Sequence, residues 1–337
     1  MKAFVVSAPG GLDHLKVVDR PDPGEPGPGQ IRVRLHATSL NYHDLSVAKT
    51  PSATADGRIL MADGAGVVEA IGPGVSEFAV GDNVVSCFFP QWSDGLPQGA
   101  VGDFSRTPGD GIDGFATEYA VRPVQAFTHA PKGWTHAEAA TITTAGLTAW
   151  RALISDGGLK PGNTVLALGT GGVAIAGLQI SKLMGAAVVI TSSSDEKLER
   201  AKALGADYTV NYKSHSDWGR KVRELTEGRG VDHILELGGP GTLAQSIEAV
   251  RVGGQISLIG VLTGRAGEVP TAALMGRHAR LQGLIVGNRR QQQEYVAALS
   301  LSSLRPVIDR SFDFADLPEA FRYQESGSHF GKICVEW

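Results

Sequence analysis

Gly169, Gly171 and Ala174 stand in VLALGTGGVA at the spacing G-x-G-x-x-A, between a strand-like run and a helix-like run. The pattern suits a pyrophosphate. Gly169 permits a tight turn after the strand, Gly171 lets phosphate approach bare backbone, and Ala174 keeps the helix close to the sheet. Thr170, Gly172 and Val173 complete a loop whose N–H groups open a helix, where the helix dipole favours an anion. A glycine-rich turn that binds nothing is the alternative, and the strand–turn–helix context argues against it.

The next strand pattern ends at Thr191 and runs into Ser192-Ser193-Ser194, with Lys197 in the helix beyond. A carboxylate at this strand end would bind the ribose hydroxyls of NAD. Hydroxyls and an ammonium there suit a 2′-phosphate, so Ser192, Ser193 and Lys197 point to NADP. Asp195 argues mildly the other way unless it faces solvent, and serines that merely cap a 195–204 helix would look the same.

Other chemistries find little support. The two cysteines, Cys87 and Cys334, form no CxxC, and no pair among the nine histidines has the close spacing of a metal site. The formal net charge of −4, with no Lys/Arg block, gives a nucleic-acid backbone nothing to hold. MKAFVVSAPGG is too short an apolar run for a signal peptide. Thr164 to Thr191 carries only Lys182 as a charge, but its glycines cut it into strand and helix lengths, so it reads as a buried βαβ unit. No membrane partner and a cytoplasmic location are therefore expected.

These residues need a scaffold of two parts. A chain of 337 residues exceeds one ordinary hydrophobic core, and its 44 glycines are well above the usual ~7%. The first ~125 residues alternate short β-branched runs with turn clusters such as PDPGEPGPGQ, an all-β, barrel-like pattern. After Pro131, THAEAATITTAGLTAWRALI reads as a helix capped by Thr135 with Glu138 three residues on. Strands and helices then alternate, which means a doubly wound parallel sheet. A helix from about Gln291 to Leu304 and a final GKICVEW strand should rejoin the β part. The expected organisation is α/β: a β-barrel domain over 1–128 and 288–337, with a dinucleotide-binding domain inserted over 129–287.

LHATSLNYHDL, GAGVVEAIGPGV with FAVGDNVV, AATITTAGLTAW, the GTGGVA loop with TSSSDEK, LGADYTVNY and GKICVEW together resemble the medium-chain dehydrogenase/reductase superfamily. The resemblance covers essentially the whole length and is nearest the zinc-independent quinone oxidoreductase (zeta-crystallin-like) branch. It implies a GroES-like barrel carrying an inserted Rossmann domain. Zinc relatives supply Cys, His and Cys to the metal; by motif these positions fall on Asn41, Ala62 and Thr144. A four-cysteine structural zinc lobe is also absent, since 87–113 holds only Cys87.

Without a Lewis acid, alcohol oxidation is harder, whereas reducing a quinone or an electron-poor C=C needs mainly positioning and hydrogen bonds to the resulting anion. The resemblance therefore implies an NADPH-dependent quinone or enone reductase. An alcohol or aldehyde oxidoreductase and a catalytically silent NADPH-binding protein are the rivals. By the same resemblance Asn41, Tyr42, His43 and Asp44 form a loop at a cleft floor. Asn41 and Asp44 support the nicotinamide side, and Tyr42 or His43 could donate to substrate oxygen. Thr144 and Thr148 flank the nicotinamide, Tyr212 meets the adenosine end, and Gly260, Val261 and Leu262 pass beneath the ribose. Val286, Gly287 and Asn288, and the His329–Lys332 turn, are weaker carry-overs. Phe88, Phe89, Trp92 and Phe104, extended by Phe115, either pack on the barrel or wall a pocket for apolar planar carbonyl compounds. An apolar strand in ARLQGLIVG is expected at a sheet edge, pairing two copies into a homodimer.

Overall fold

A computed structural model describes residues 1–50, 56–97 and 99–337. Gln98, within the aromatic-rich loop, lies outside the described residues. The chain divides into two compact units, Met1–Leu147 with Val286–Trp337, and Thr148–Ile285.

The first unit is built on a seven-stranded sheet. Its path runs Ile308–Asp313, Lys332–Glu336, Gln30–Ser39, Ala65–Ile71, Asn83–Ser86 and Phe127–His129, with Tyr119–Pro123 added to Gln30–Ser39. The final strand does rejoin the β unit: Cys334 lies opposite Ser39 in antiparallel register. Alternation sets the faces. Ile31, Val33 and Leu35 point to one side with Val68, Phe115 and Phe127. A three-stranded sheet beside it packs Phe4, Leu60 and Phe321 into a second core.

The second unit is a six-stranded sheet, every pairing parallel. Its order is Tyr208–Asn211, Ala187–Ser192, Thr164–Leu168, Val231–Glu236, Val250–Leu258 and Arg280–Gly283. The first strand in sequence lies at the centre and the order reverses beside it, which is the doubly wound arrangement with its ligand crevice at the carboxyl ends. Helices cover the sheet, and Gly177 shows how tightly: a Cβ there would sit 2.3 Å from Leu235 Cδ1. Gly177, and not only Ala174, thus sets the helix-to-sheet distance.

Four expectations need correction. The division between units falls after Leu147 and after Ile285, so residues 129–147 group with the barrel unit rather than with the inserted one. The helix expected from Thr135 begins as read, with Thr135 Oγ1 accepting from Glu138 N and Glu138 Oε2 from Thr135 N. It does not continue as one α-helix: π-helical turns occupy Ile142–Gly146 and Arg151–Ser155. Threonine hydroxyls drawn to partners elsewhere account for the first widening. Asn41 to Asp44 is no loop: a helix runs Tyr42–Lys49 with Asn41 as its N-cap and Asp44 closing the capping box. The helix expected from about Gln291 starts earlier, at Arg289, because Asn288 caps it, and ends at Ser300.

Candidate active site

In the first unit, two buried acids gather around one buried ammonium. Asp63 is fully buried, as are Asp44 and Lys332 to within a few per cent. Asp63 Oδ2 accepts from Asn41 Nδ2 (2.8 Å) and Ser39 Oγ (2.6 Å), and its Oδ1 accepts from Thr144 Oγ1 (2.6 Å). Lys332 Nζ donates to Leu40 O and Asn41 Oδ1, both at 2.6 Å, and stands 3.7 Å from Asp63 Oδ2. Asp44 accepts from Asn41 N (2.9 Å), Asn41 Nδ2 (3.1 Å) and Ala62 N (2.9 Å). Burial pushes the Asp63 carboxyl up to about 6; Asp44 adds to the rise and Lys332 opposes it. Burial also raises Asp44.

Local backbone positions these groups. Met61, fully buried, takes φ 76, so the chain turns sharply just before Ala62 and Asp63. A non-glycine residue there stores roughly 1–3 kcal/mol of strain, held by the surrounding packing. The π-turn at Ile142–Gly146 presents two successive hydroxyls: Thr143 Oγ1 donates to Ser86 O (2.9 Å) and Thr144 Oγ1 to Asp63. Asn41, Asp44 and Thr144, expected as a set, therefore do converge, through Asp63. Asp63 carries no motif of its own, and Lys332 falls only at the end of the His329–Lys332 turn. Asp63 sits beside an expected ligand position, and that adjacency was the available signal.

His43 and Tyr42 take no part in this network. Tyr42 is exposed, at 55%. His43 lies among rings, 5.3 Å from Phe88 and 4.8 Å from Phe104 between centroids, with Nε2 3.4 Å from Asp110 Oδ2. Burial pushes its pKa down despite Asp110 and Asp63, which favours neutral imidazole. Phe89 joins the cluster at 4.8 Å from Phe88, and Trp92 lies 6.2 Å from Phe89. Phe115 belongs elsewhere, paired with Phe127 in the barrel core. Val286 is buried with φ 46, an outlier for a β-branched residue, and Asn288 caps the next helix by accepting from Gln291 N.

In the second unit the expected cofactor residues gather at the carboxyl ends of the strands. Gly169 has φ 79 and donates its N–H to Thr191 Oγ1 (3.2 Å). Thr170 is buried beside it, and the Gly172–Leu183 helix begins after Gly171 with no side-chain cap and no acid in its first turn. Val173 is half-buried and Ala174 fully buried. That uncapped N-terminus fits a pyrophosphate. Ser192 Oγ accepts from Ser194 N (3.2 Å), and Ser194, not Ser192 or Ser193, caps the Asp195–Ala203 helix by accepting from Lys197 N. Asp195 is exposed and accepts from Asn211 Nδ2 (2.7 Å), while Tyr212 N donates to Ser192 O. Thr148 is buried.

Another buried acid, Glu236, organises the neighbouring loops. Its Oε1 accepts from Gly238 N (2.9 Å), Gly239 N (3.0 Å) and Thr242 Oγ1 (2.5 Å), and its Oε2 from Ser246 Oγ. Its carbonyl accepts from Ile259 N and Gly260 N, and Thr263 N donates to Gly238 O. The turn carrying Gly260, Val261 and Leu262 is thereby tied to the end of the Val231–Glu236 strand, with Val261 and Leu262 left exposed. Among the described residues no group of three His, Cys, Asp or Glu is arranged to hold a metal ion. Nor, among them, is any helix long and apolar enough to cross a membrane.

Two family models match the chain. Residues 27–132 match the alcohol dehydrogenase GroES-like domain, and 172–303 match the zinc-binding dehydrogenase domain. The zinc-type alcohol dehydrogenase-like protein C1773.06c of Schizosaccharomyces pombe is 39% identical over 97% of this chain and 96% of its own length. A 2-haloacrylate reductase from a Burkholderia species is 30% identical over 99% of this chain and 98% of its own. A solved structure from Sinorhizobium meliloti 1021 superposes with TM-score 0.94 at 43% identity, covering 100% of this chain and 98% of that one. An NAD-dependent alcohol dehydrogenase follows at 0.88 and 36%, covering 100% of both chains. A mycobacterial protein solved with NADPH gives 0.81 and 25%, again over 100% of both.

Proposed function

The chain belongs to the medium-chain dehydrogenase/reductase superfamily, and we propose that it is an NADPH-dependent reductase of quinones or activated C=C bonds that works without zinc. One observation carries the reading. Asn41 and Thr144, at two of the three positions that hold the metal in zinc relatives, are hydrogen-bonded to Asp63, and the third position is the methyl of Ala62. A Zn²⁺ site needs thiolate, imidazole or carboxylate donors free to coordinate. Here the two carboxylates within reach, Asp44 and Asp63, each already accept from three donors, and Asp63 faces an ammonium, so the donor set does not fit zinc.

The uncapped helix N-terminus would hold the pyrophosphate of NADPH, which when bound would supply the hydride. Ser192, Ser193 and Lys197 support the choice of NADPH, although relatives of both kinds exist: one neighbour is NAD-dependent by name and another was solved with NADPH. The chain's own residues then orient an acceptor and stabilise the anion left after hydride addition. The His43, Phe88, Phe89 and Phe104 rings favour a planar apolar acceptor over a sugar or an acid. The 2-haloacrylate reductase acts on an activated C=C by its name, which supports the same chemistry. The alcohol dehydrogenase-like relatives favour an aldehyde acceptor instead. Following NADPH absorbance with quinones, enones, aldehydes and no acceptor separates the two, and silence with every acceptor would leave a nucleotide-binding protein. Purified protein is expected to hold no stoichiometric zinc. One zinc per chain that resists chelator, with activity lost on its removal, would overturn the mechanism.

The reading extends to a homodimer. Arg280–Gly283 is an edge strand of the parallel sheet, and a twin strand across a two-fold axis would remove that edge. A monomer at micromolar concentration in solution would count against it.

A further inference from the structure

The two acids and one ammonium of the first unit leave a question of charge. With Asp44 and Asp63 both ionised beside Lys332 the buried cluster is negative; with one proton on the acids it is neutral. Burying net charge is expensive, so the neutral state is favoured. Hydrogen-bond direction decides where that proton sits. All three donors to Asp44 are N–H groups, two of them backbone, and none can reverse. Two of the three neighbours of Asp63 are hydroxyls, which can accept as well as donate. Ser39 Oγ also lies 3.1 Å from Ala140 O, and its single proton can serve only one of these oxygens. Asp44 is therefore built as a fixed acceptor, and Asp63 as the acid that can hold and release a proton.

The way out is equally defined. Ser39, Asn41, Asp44, Asp63 and Lys332 are all buried, whereas Thr144 is half-buried. We propose that Asp63 and Thr144 form a proton relay: the Asp63 carboxyl stores the proton, and the Thr144 hydroxyl passes one to the anion of the reduced substrate. This rests on the reductase reading above. Once hydride has reached the acceptor, the Thr144 O–H bond breaks and a C–H or O–H bond forms on the substrate. The Asp63 Oδ–H bond breaks as the Thr144 hydroxyl is restored, and Asp63 remains as a carboxylate facing Lys332. Water returns the proton through Thr144. A hydroxyl at one of the metal's positions and a carboxyl beside another thus take over the metal's electrophilic role.

Four titratable groups face Asp63: Lys332 and Cys334 from the last strand, and Asp44 and His43 from the Tyr42–Lys49 helix. Burial pushes the Cys334 thiol up to about 12, so it stays protonated through the neutral range. Since burial holds Asp63 near 6, the store empties above that pH, and turnover should fall as pH rises through it. Asp44, raised by burial, and His43, lowered by it, are the competitors for such a limb.

The test uses the whole protein. Asp63→Asn should lower kcat by roughly 10²-fold and abolish the limb near pH 6. Thr144→Val should lower kcat by at least about tenfold with little change in KM, and Thr144→Ser should restore most of it. A second readout needs no acceptor: infrared spectra should show a protonated carboxyl band that fades as pH rises, present in wild type and Thr144→Val and absent from Asp63→Asn. A limb that persists in Asp63→Asn, a band unchanged by that substitution, or a serine variant no better than valine would each overturn the relay. If no acceptor is reduced, the reductase reading fails while the infrared band still decides whether Asp63 stores a proton. If wild type and Asp63→Asn oxidise NADPH alike, the relay fails and the reductase reading stands.

Discussion

Asp63 and Glu236 are both fully buried acids, each at the heart of its unit's site, and they are satisfied in opposite ways. Glu236 accepts from two backbone N–H groups and two hydroxyls, all of them neutral. Such a carboxylate serves as a peg: neutral donors lock the Gly238–Thr242 turn and, through Thr263, the turn after the next strand. Asp63 shares its surroundings with a second acid and a lysine, so its charge depends on theirs. One buried acid fixes backbone; the other carries a transferable proton. Buried acids are thus read less by depth than by whether their partners can reverse or titrate.

The largest effect should come from Lys332→Met, which removes the ammonium and strands two acids. Breaking a buried charge cluster on one side costs about 3–5 kcal/mol, and urea unfolding at pH 7.5 should show a loss of that order. Part of it should return as pH falls, with Asp63 taking up its proton at a higher pH than in wild type because Lys332 no longer opposes it. A loss that stayed the same as pH fell would place no weight on the acid–ammonium pairing.

Glu236→Ala should follow closely. It leaves the Gly238 and Gly239 N–H groups and the Ser246 hydroxyl without this acceptor, while Thr242 Oγ1 keeps Gly239 O, a cost of roughly 2–4 kcal/mol. Glu236→Gln should cost only about 1 kcal/mol, because the amide oxygen can replace Oε1 and the amide nitrogen can donate to Ser246 Oγ. If the glutamine variant lost as much as alanine, charge rather than acceptor geometry would be the peg's working part.

Stability against pH sharpens the contrast further. Asp63 has a folded pKa near 6, above the ordinary carboxylate value of 3.8, so the folded state binds the proton more tightly than the unfolded chain. Its contribution is full below about 4 and is lost as pH rises through about 6, to the extent of roughly 2–3 kcal/mol. The difference in unfolding free energy between wild type and Asp63→Asn, measured from pH 4.5 to 8, should carry this slope. A flat difference would mean that the proton is not held there.

The smallest effect is expected at the cofactor end. Lys197→Ala should weaken NADPH several-fold and leave NADH nearly unchanged, since one exposed charge contact is worth about 1 kcal/mol or less. Ser192→Asp should reverse the preference by repelling a 2′-phosphate. Equal affinities for both cofactors in wild type would mean that the serines only shape the turn, as Ser194 does.

Much of this was legible in the sequence because it is local. The glycine loop, the Thr135–Glu138 capping box and the alternation of strands and helices each lie within one short window, where propensity and pattern act directly. The Asn41-x-x-Asp44 cap is equally local, and its N-cap and N3 spacing marks a helix start where the family resemblance implies a loop. The π-turns were not legible: apolar periodicity across AATITTAGLTAW reads as one helix, and the widening depends on hydroxyl partners such as Ser86 and Asp63 far away in sequence. Asp63 and Lys332 were hidden for the same reason. Nothing near either residue reveals the other; they meet because the last strand and Ala65–Ile71, just after Asp63, both pair with Gln30–Ser39.

That pairing fixes an order of events during synthesis. The Lys332–Glu336 strand closes on Gln30–Ser39 only after the whole Thr148–Ile285 unit has been made. At ~5–20 residues per second, the acids at 44 and 63 wait roughly 15–60 s for their ammonium. The inserted unit needs nothing from outside its own span to complete its parallel sheet. It should therefore fold on the nascent chain first, while the segment that emerged earliest stays open longest. Protease applied to ribosome-stalled chains ending near residue 300 should spare 148–285 and cut the first 140 residues, reversing the usual rule that what is made first folds first.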